Sequence, residues 1–420
     1  MSADADQLSK KQEIKDNTIN SCKKWIRQEV TMEKQHVFIV GSKGIPAEYG
    51  GFETFVDKLV QYQSTDEIQY HVARLSDKND EFMYKGARVF NVKVPDVGPG
   101  KAVLYDLIAL NACLEYCKKM DFKRAPIFYI LACRIRPFIA SIHKAVEELG
   151  GVLYLNPDGH EWRRSKWSWA VQKYWKTSER AMIKDCDLII CDSKNIEKYV
   201  REEYARYDPN TIYISYGADL EPSVLADDDE KFTGWLDEKG LRADEYYLVV
   251  GRFVPENNVE TIIREFMNSS TTKDLAIITT ENQALYNTLE RKLHFSEDPR
   301  IKFVGTVYDQ ELLKKIREHA YAYLHGHQVG GTNPSLLEAL ASTKMNLLLN
   351  VGFNREVAGR SALYWNKIKG SLSQMIADCD AMSEQERAKF GRRAKKRIRD
   401  EYSWRYITDT YEKLFLQGQE

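Results

Sequence analysis

The chain reads as an α/β protein of two doubly wound units facing each other across a cleft. Three observations carry that reading. Short β-rich runs alternate with helical patterns along the sequence, the order expected of doubly wound units. Most of these runs are continuously apolar instead of alternating, as strands buried on both faces of a parallel sheet are. Thirteen such runs are present, too many for one sheet of this kind, so they divide between two domains.

The first domain takes the runs at 36–42 (HVFIVGS), 70–76 (YHVARLS), 88–94 (RVFNVKV), 127–133 (IFYILAC), 151–156 (GVLYLN), 187–193 (DLIICDS) and 211–217 (TIYISYG). The second takes 246–252 (YYLVVGR), 275–281 (LAIITTE), 301–307 (IKFVGTV), 320–326 (AYAYLHG), 345–351 (MNLLLNV) and 361–367 (SALYWNK). The acidic, proline-containing stretch 219–239 separates them. The expected divisions are a polar extension at 1–34, a first domain at 35–218, a second at 219–403 and a terminal helix at 404–420.

Composition narrows the classes. The 420 residues are 43% hydrophobic and 29% charged, with a net charge of −1, ordinary for a globular protein and no signature of nucleic-acid binding. No apolar run approaches the roughly 20 residues that a bilayer span needs, and the first thirty residues are too polar for a signal-peptide core. Seven cysteines without a CxxC pair fit reduced packing residues in a cytoplasmic protein.

In open α/β sheets, ligands bind beyond the carboxyl ends of the strands, and the loops with unusual chemistry follow strands. The most informative is HGHQVGGTNPSLLEA, 325–339. An apolar run feeds a glycine-bearing loop that opens a helix. The glycines allow close backbone approach, and the free N–H groups at the helix start favour phosphate. Glu338 repels phosphate but can accept from a ribose hydroxyl. The group reads as a clamp for a nucleotide diphosphate. Arg252, after another buried strand, is the cation suited to its charge, unless it forms a surface ion pair with Glu256. In the first domain, Gly50 and Gly51 precede a helix and can present backbone N–H groups. Glu53 in its first turn is either a sugar-binding carboxylate or a helix-dipole partner. Asp158, His160 and Glu161 cluster after a strand, where they can orient sugar hydroxyls or move a proton.

The segment 162–180 carries four tryptophans and six Lys or Arg. That mixture suits a membrane interface with anionic headgroups or an amphipathic helix with packed tryptophans. Asp185/Asp187 and Asp378/Asp380 have DxD spacing, but the first pair reads as a helix-to-strand corner and the second lies in a helical pattern. No metal site is expected.

Taken together, IPAEYGGFETFVDKL, LIICDSKNIEKYV, ISYGAD, VVGRFVPENN and GGTNPSLLEAL resemble, in order, the retaining GT-B glycosyltransferases of family 4. GSKGIPAEYGGFETFV with DGHEWRRSKW is most similar to the bacterial β-1,4-rhamnosyltransferase branch of capsule and cell-wall polysaccharide assembly. The resemblance covers about 35–420 and implies the GT-B fold, two Rossmann-like doubly wound domains facing a central cleft. It implies dTDP-L-rhamnose as donor, a lipid-diphosphate-linked saccharide as acceptor, no cofactor, and a cytoplasmic protein peripheral at the inner face of the membrane. A homo-oligomer stays open. Carried over by position, Arg252 pairs with the diphosphate and Glu338 binds ribose. The backbone of Gly331, Thr332, Asn333 and Ser335 holds phosphate and Gly51 approaches the diphosphate from the other domain, with Gly50, Asn257, His327 and Gly330 also expected around the donor. Asp158, His160, Glu161 and Arg252 form the catalytic group. Glu53, Arg163, Arg164 and Lys166 face the acceptor.

Two departures stand out. The family commonly carries a glutamate where this chain has Gly330, and often a lysine where it has Asn257. The second diphosphate cation is therefore missing, with Lys43, His325 and His327 as candidates to replace it. Alternatives to the rhamnosyl reading are another nucleotide sugar, a sugar-nucleotide epimerase or a non-catalytic nucleotide-sugar-binding protein. The missing GxGxxG weakens a nicotinamide dehydrogenase.

Overall fold

The structure, a computed structural model, describes residues 33–48, 50–120, 122–164 and 167–417; the extension at 1–32 lies outside them. The first unit runs β1 (Gln35–Val40), α1 (Gly51–Gln61), β2 (Ile68–Ser76), β3 (Glu81–Tyr84), β4 (Ala87–Lys93), α2 (Lys101–Lys119), β5 (Ile127–Leu131), α3 (Ile139–Glu147), β6 (Val152–Asn156), α4 (Trp169–Asp185), β7 (Leu188–Cys191), α5 (Lys194–Glu203) and β8 (Thr211–Tyr213). Its sheet has the order β3-β4-β2-β1-β5-β6-β7-β8. The second runs α6 (Glu230–Lys239), β9 (Tyr246–Val250), α7 (Val259–Met267), β10 (Asp274–Ile278), α8 (Gln283–Leu293), β11 (Ile301–Gly305), α9 (Gln310–Glu318), β12 (Ala322–His325), α10 (Pro334–Ser342), β13 (Asn346–Leu349), α11 (Gly352–Ala358), β14 (Leu363–Trp365), α12 (Ser371–Ala381), α13 (Glu384–Arg397) and α14 (Trp404–Gln417). Its sheet has the order β11-β10-β9-β12-β13-β14.

Thirteen strands coincide with the apolar runs and pair in parallel. β5 shows why: every residue of IFYIL is buried, so the run has no polar face to alternate. β3 is the strand that the patterning missed. EFMY is an edge strand with alternating exposure, antiparallel to β4. Its hairpin turns through Lys85 and Gly86, both at positive φ, as a two-residue type I′ turn requires.

The chain crosses between units twice, and the crossings are pinned together. The Ala218 N–H donates to the Tyr402 carbonyl at 2.8 Å. A Cβ on Gly217 would lie 2.7 Å from the Trp404 ring, so the first crossing must be bare where the second passes. α14 then returns to the first sheet. The Tyr411 hydroxyl meets that of Tyr129 at 3.0 Å, Phe415 packs against Tyr70, and Glu412 accepts from the Ser64 N–H at 2.7 Å. One apolar cluster consequently continues from β1 and β5 through Trp404 and Tyr411 to Leu336 and Leu340 of α10.

The aspartates with DxD spacing are committed elsewhere. Asp187 accepts from the Leu153 N–H, Asp378 from Gln374 and Asp380 from the Tyr247 hydroxyl. Among the described residues, no three His, Cys, Asp or Glu gather as a metal site, no helix is long and apolar enough to cross a membrane, and the six cysteines are free.

Candidate functional site

The loops after β1, β6 and β7 meet those after β9 and β12. On the second unit's side, β12 ends at His325, the chain turns through the glycine loop, and α10 begins. Asn333 caps that helix by accepting from the Leu336 N–H at 3.2 Å. The Ser335 hydroxyl donates to the Val250 carbonyl at 3.2 Å, and the buried Thr332 hydroxyl donates to the Asp192 carbonyl at 2.6 Å. The side chains of Thr332, Asn333 and Ser335 therefore build the loop, and its backbone is the part left to meet a phosphate. Gly330 has φ +128°, a conformation that favours glycine. Glu338 pairs with the buried guanidinium of Arg317 at 2.5 Å. A carboxylate has acceptor capacity beyond one such contact, so a ribose hydroxyl can still be accepted.

β9 feeds the other arm. The Asn257 side chain donates to the Arg252 carbonyl at 2.7 Å and meets His327 Nδ1 at 2.7 Å. Burial first, then Arg164 and Arg252, lowers His327 to about 4. Burial holds His325 well below its ordinary value. Neither imidazole is a cation near neutral pH, so neither replaces the missing second charge.

On the first unit's side, the loop after β1 is anchored from below. Arg134 donates to the Gly41 carbonyl at 2.9 Å and pairs with buried Asp106 at 3.2 Å. Burial raises Asp106 to about 6 against the pull of Arg134. Glu53 accepts from the Lys43 N–H at 2.6 Å and therefore organises its own loop. Gly50, at φ +134°, has no space for a Cβ because the Glu53 carboxylate lies there, whereas Gly51 is open on that side.

The group after β6 is split. Asp158 takes a positive φ, and its N–H donates to Asn156 at 2.9 Å. Burial, most of all, raises its carboxyl. His160 packs against Tyr199 with the rings tilted and their centroids 4.3 Å apart, and it is lowered to about 4 by burial, then by Arg163 and Lys176. Glu161 pairs with Arg164 at 2.5 Å and accepts from the Trp167 ring N–H at 2.9 Å. The three are neighbours in sequence without forming one proton-transfer set. Arg163 stacks on Trp162; Lys166 lies outside the described residues.

What the structure does assemble is a cavity lined by two guanidinium groups and one carboxylate. Arg164, Arg252, Asn257 and His327 line it with Val254, Glu256 and Val329. Arg164, placed on the acceptor side from sequence, is a second guanidinium lining the cavity with Arg252, its charge shared with Glu161. It comes from the opposite domain, a juxtaposition that no local spacing reveals. The cavity holds about 30 Å³, roughly the liquid volume of one water.

Asp192, after β7, was also missed. It is buried against the glycine loop, and the one available signal was a carboxylate directly after an apolar strand. Glu356 of α11 is a third such residue. It accepts from the Ser193 hydroxyl at 2.8 Å and the Lys194 N–H at 2.7 Å, tying the second unit to the start of α5.

Residues 34–219 match the family described as "Domain of unknown function (DUF1972)". No curated protein matches the chain. Among solved structures, sucrose-phosphate synthase from Thermosynechococcus elongatus is similar at 16% identity and a TM-score of 0.71, covering 92% of this chain and 99% of its own. A glycosyltransferase from Rickettsia africae ESF-5 is similar at 13% identity and a TM-score of 0.68, covering 92% and 98%. Anabaena Alr3699/HepE, in complex with UDP and glucose, is similar at 12% identity and a TM-score of 0.66, covering 92% and 100%. With two parallel-sheet Rossmann-like domains closed around loops from their strand ends, and with these neighbours over nearly its whole length, the chain has the GT-B fold.

Proposed function

We propose that the protein is a retaining, metal-independent glycosyltransferase that uses a nucleoside-diphosphate sugar, with dTDP-L-rhamnose as donor and a lipid-diphosphate-linked saccharide as acceptor. One observation carries the reading: Arg164 and Arg252 converge from two domains beside the glycine loop and the start of α10. Two guanidinium groups and a set of helix-start N–H groups are complementary to a diphosphate. Glu338, in the second turn of the same helix, suits the ribose. The sequence resemblance supports the rhamnosyl choice, and the likeness to HepE, a protein in complex with UDP and glucose, supports the donor class.

The chemistry asks little of a protein nucleophile. As the glycosidic bond to the diphosphate breaks, negative charge grows on the leaving oxygen, where fixed cations and N–H dipoles stabilise it. The same oxygen can take the acceptor's proton. Drug-sized ligands occupy pockets of roughly 300–1,000 Å³. The present cavity is far smaller, so donor entry requires the domains to part and reclosure would exclude water.

The test is a panel of nucleotide sugars, with excess EDTA, against undecaprenyl-diphosphate-linked glucose and N-acetylglucosamine analogues, with product linkage and anomeric configuration read by NMR. Transfer from dTDP-L-rhamnose with retention is expected. Efficient transfer from UDP-glucose but not dTDP-L-rhamnose sinks the donor assignment. Loss of activity in EDTA, restored by magnesium, sinks metal independence. Conversion of the donor without acceptor makes the protein an epimerase.

A further inference from the structure

Residues 330 and 331 present no side chain to the cleft, and groups from the first domain fill the space. A Cβ on Gly331 would lie 2.1 Å from Asp192 Oδ1, and a Cβ on Gly159 would lie 2.6 Å from the Gly330 Cα. A side chain on Gly159 would push the two loops apart, and one on Gly331 would displace the Asp192 carboxyl. Asp192 itself is 3% exposed. Its backbone is fixed by the Thr332 hydroxyl, which also receives a 3.2 Å hydrogen bond from Ser215. Its Oδ1 has no hydrogen-bond partner among the described residues. Leaving a buried carboxyl oxygen unpaired is costly, and such a group calls for an explanation.

The surrounding charges indicate what can pair with it. The cations Arg164 and Arg252 share one cavity, whereas Asp192 neighbours the carboxyls of Asp158 and Glu356. A diphosphate is drawn to the first group and repelled by ionised members of the second. A donor whose diphosphate lies with the guanidinium groups then directs its sugar towards Asp192. Burial first, then Asp158 and Glu356, raises the Asp192 carboxyl well above the ordinary range. A neutral carboxyl both donates and accepts, as does a sugar hydroxyl.

We propose that Asp192 determines donor-sugar specificity: in the loaded cleft it exchanges hydrogen bonds with a hydroxyl of the sugar on the diphosphate, and the bare Gly330–Gly331 backbone makes room for it. This rests on the glycosyl-donor reading above and adds the residue that senses the sugar.

The test compares ligands with and without a sugar. Calorimetric titration of the full chain uses dTDP, UDP, dTDP-L-rhamnose and UDP-glucose. Asp192→Ala is expected to bind the nucleoside diphosphates within about twofold of wild type and to bind its preferred nucleotide sugar roughly tenfold more weakly, the cost of about one hydrogen bond. Asp192→Asn, which keeps a donor and an acceptor, should stay within about threefold for the sugar-bearing ligand. Asp192→Ser, too short to reach, should follow Asp192→Ala and replaces it should that variant fail to fold. A structural role alone would weaken both ligand types together, leaving the ratio of their affinities at the wild-type value, and that result overturns the proposal. Wild-type protein that binds neither nucleoside diphosphate overturns the donor reading itself, an outcome separable from the first.

Discussion

Arg164 and Arg252 owe their chemical value to where the domains put them. Arg252 follows β9 and Arg164 follows β6, yet they line one cavity. Removing either leaves the diphosphate with one guanidinium. Arg252→Ala and Arg164→Ala should each cost about 2–4 kcal/mol of transition-state stabilisation, the scale for a preorganised charge partner. Glu338→Ala should fall in the same range and also leaves the buried Arg317 unpaired, and Arg164→Ala takes the guanidinium from Glu161, so both melting temperatures should drop while that of Arg252→Ala holds. Wild-type kcat/KM in Arg164→Ala would show that the second charge is spectator. Histidines set a different dependence. His71 is fully buried beside His36 and is lowered to about 3 by burial, then by His36 and Arg88. Unfolded, its imidazole titrates near 6.5. Between those values the unfolded chain binds the extra proton, so stability falls as pH drops through 6.5 and levels off near 3. At pH 5 the loss from this group is about 2 kcal/mol relative to pH 7. His71→Asn should lower overall stability and flatten that pH slope in urea unfolding; an unchanged slope assigns the acid sensitivity elsewhere.

At the scale of elements, the glycine loop combines a strand end, a helix start and a required backbone conformation. Gly330 stands where the resembled family commonly has a glutamate, and its φ of +128° makes the glycine a backbone requirement. Gly330→Ala and Gly330→Glu should both reduce donor use, since any side chain there is strained. Full activity in the alanine variant would return the position to side-chain chemistry alone. α4 and the residues just before it divide their tryptophans. Trp167 and Trp175 pack on each other, while Trp169 is 73% exposed beneath the Lys173 ammonium. If this helix meets anionic lipid, Trp169→Ala with Lys173→Ala should reduce sedimentation with anionic vesicles, and salt should weaken wild-type binding. Equal sedimentation with neutral and anionic vesicles, before and after the change, leaves Trp169 as an ordinary exposed ring. The parallel strands were legible because burial on both faces writes itself into runs such as IFYIL. Helix starts were legible where Gly, Asn and Pro punctuate them, as at Asn333-Pro334. β3 was not, because EFMY at an edge buries too little. Nor were Arg164 beside Arg252, Asp192 against Gly331, or Glu356 on Ser193, since each depends on two domains meeting and no sequence spacing encodes that approach.

For the whole molecule, the question is how a cleft this small admits a ligand. Beyond the cavity of about 30 Å³, the domains touch at two further places: the Thr332–Asp192–Ser215 group at the glycine loop, and Glu356 on the start of α5. The crossings at Ala218 and Ser403 and the return of α14 keep the domains joined while those contacts break. Glu356 is the more separable of the two. Its carboxylate sits on helix-start N–H groups, a favourable arrangement, and it belongs to neither the arginine-lined cavity nor the glycine loop. Glu356→Ala removes this interdomain charge while leaving Arg164, Arg252 and the glycine loop in place, and it also relieves Asp192 of one neighbouring carboxyl. If the empty protein must open to bind, a larger open population lowers the barrier to association. The variant should show a larger radius of gyration in solution scattering without ligand, converging on the wild-type value when saturated with nucleotide sugar. Its nucleotide association rate should rise and its kcat fall, because reclosure around the donor is weakened. Identical scattering curves for the two empty proteins, with unchanged association rates, would show that Glu356 caps α5 and has no part in closure.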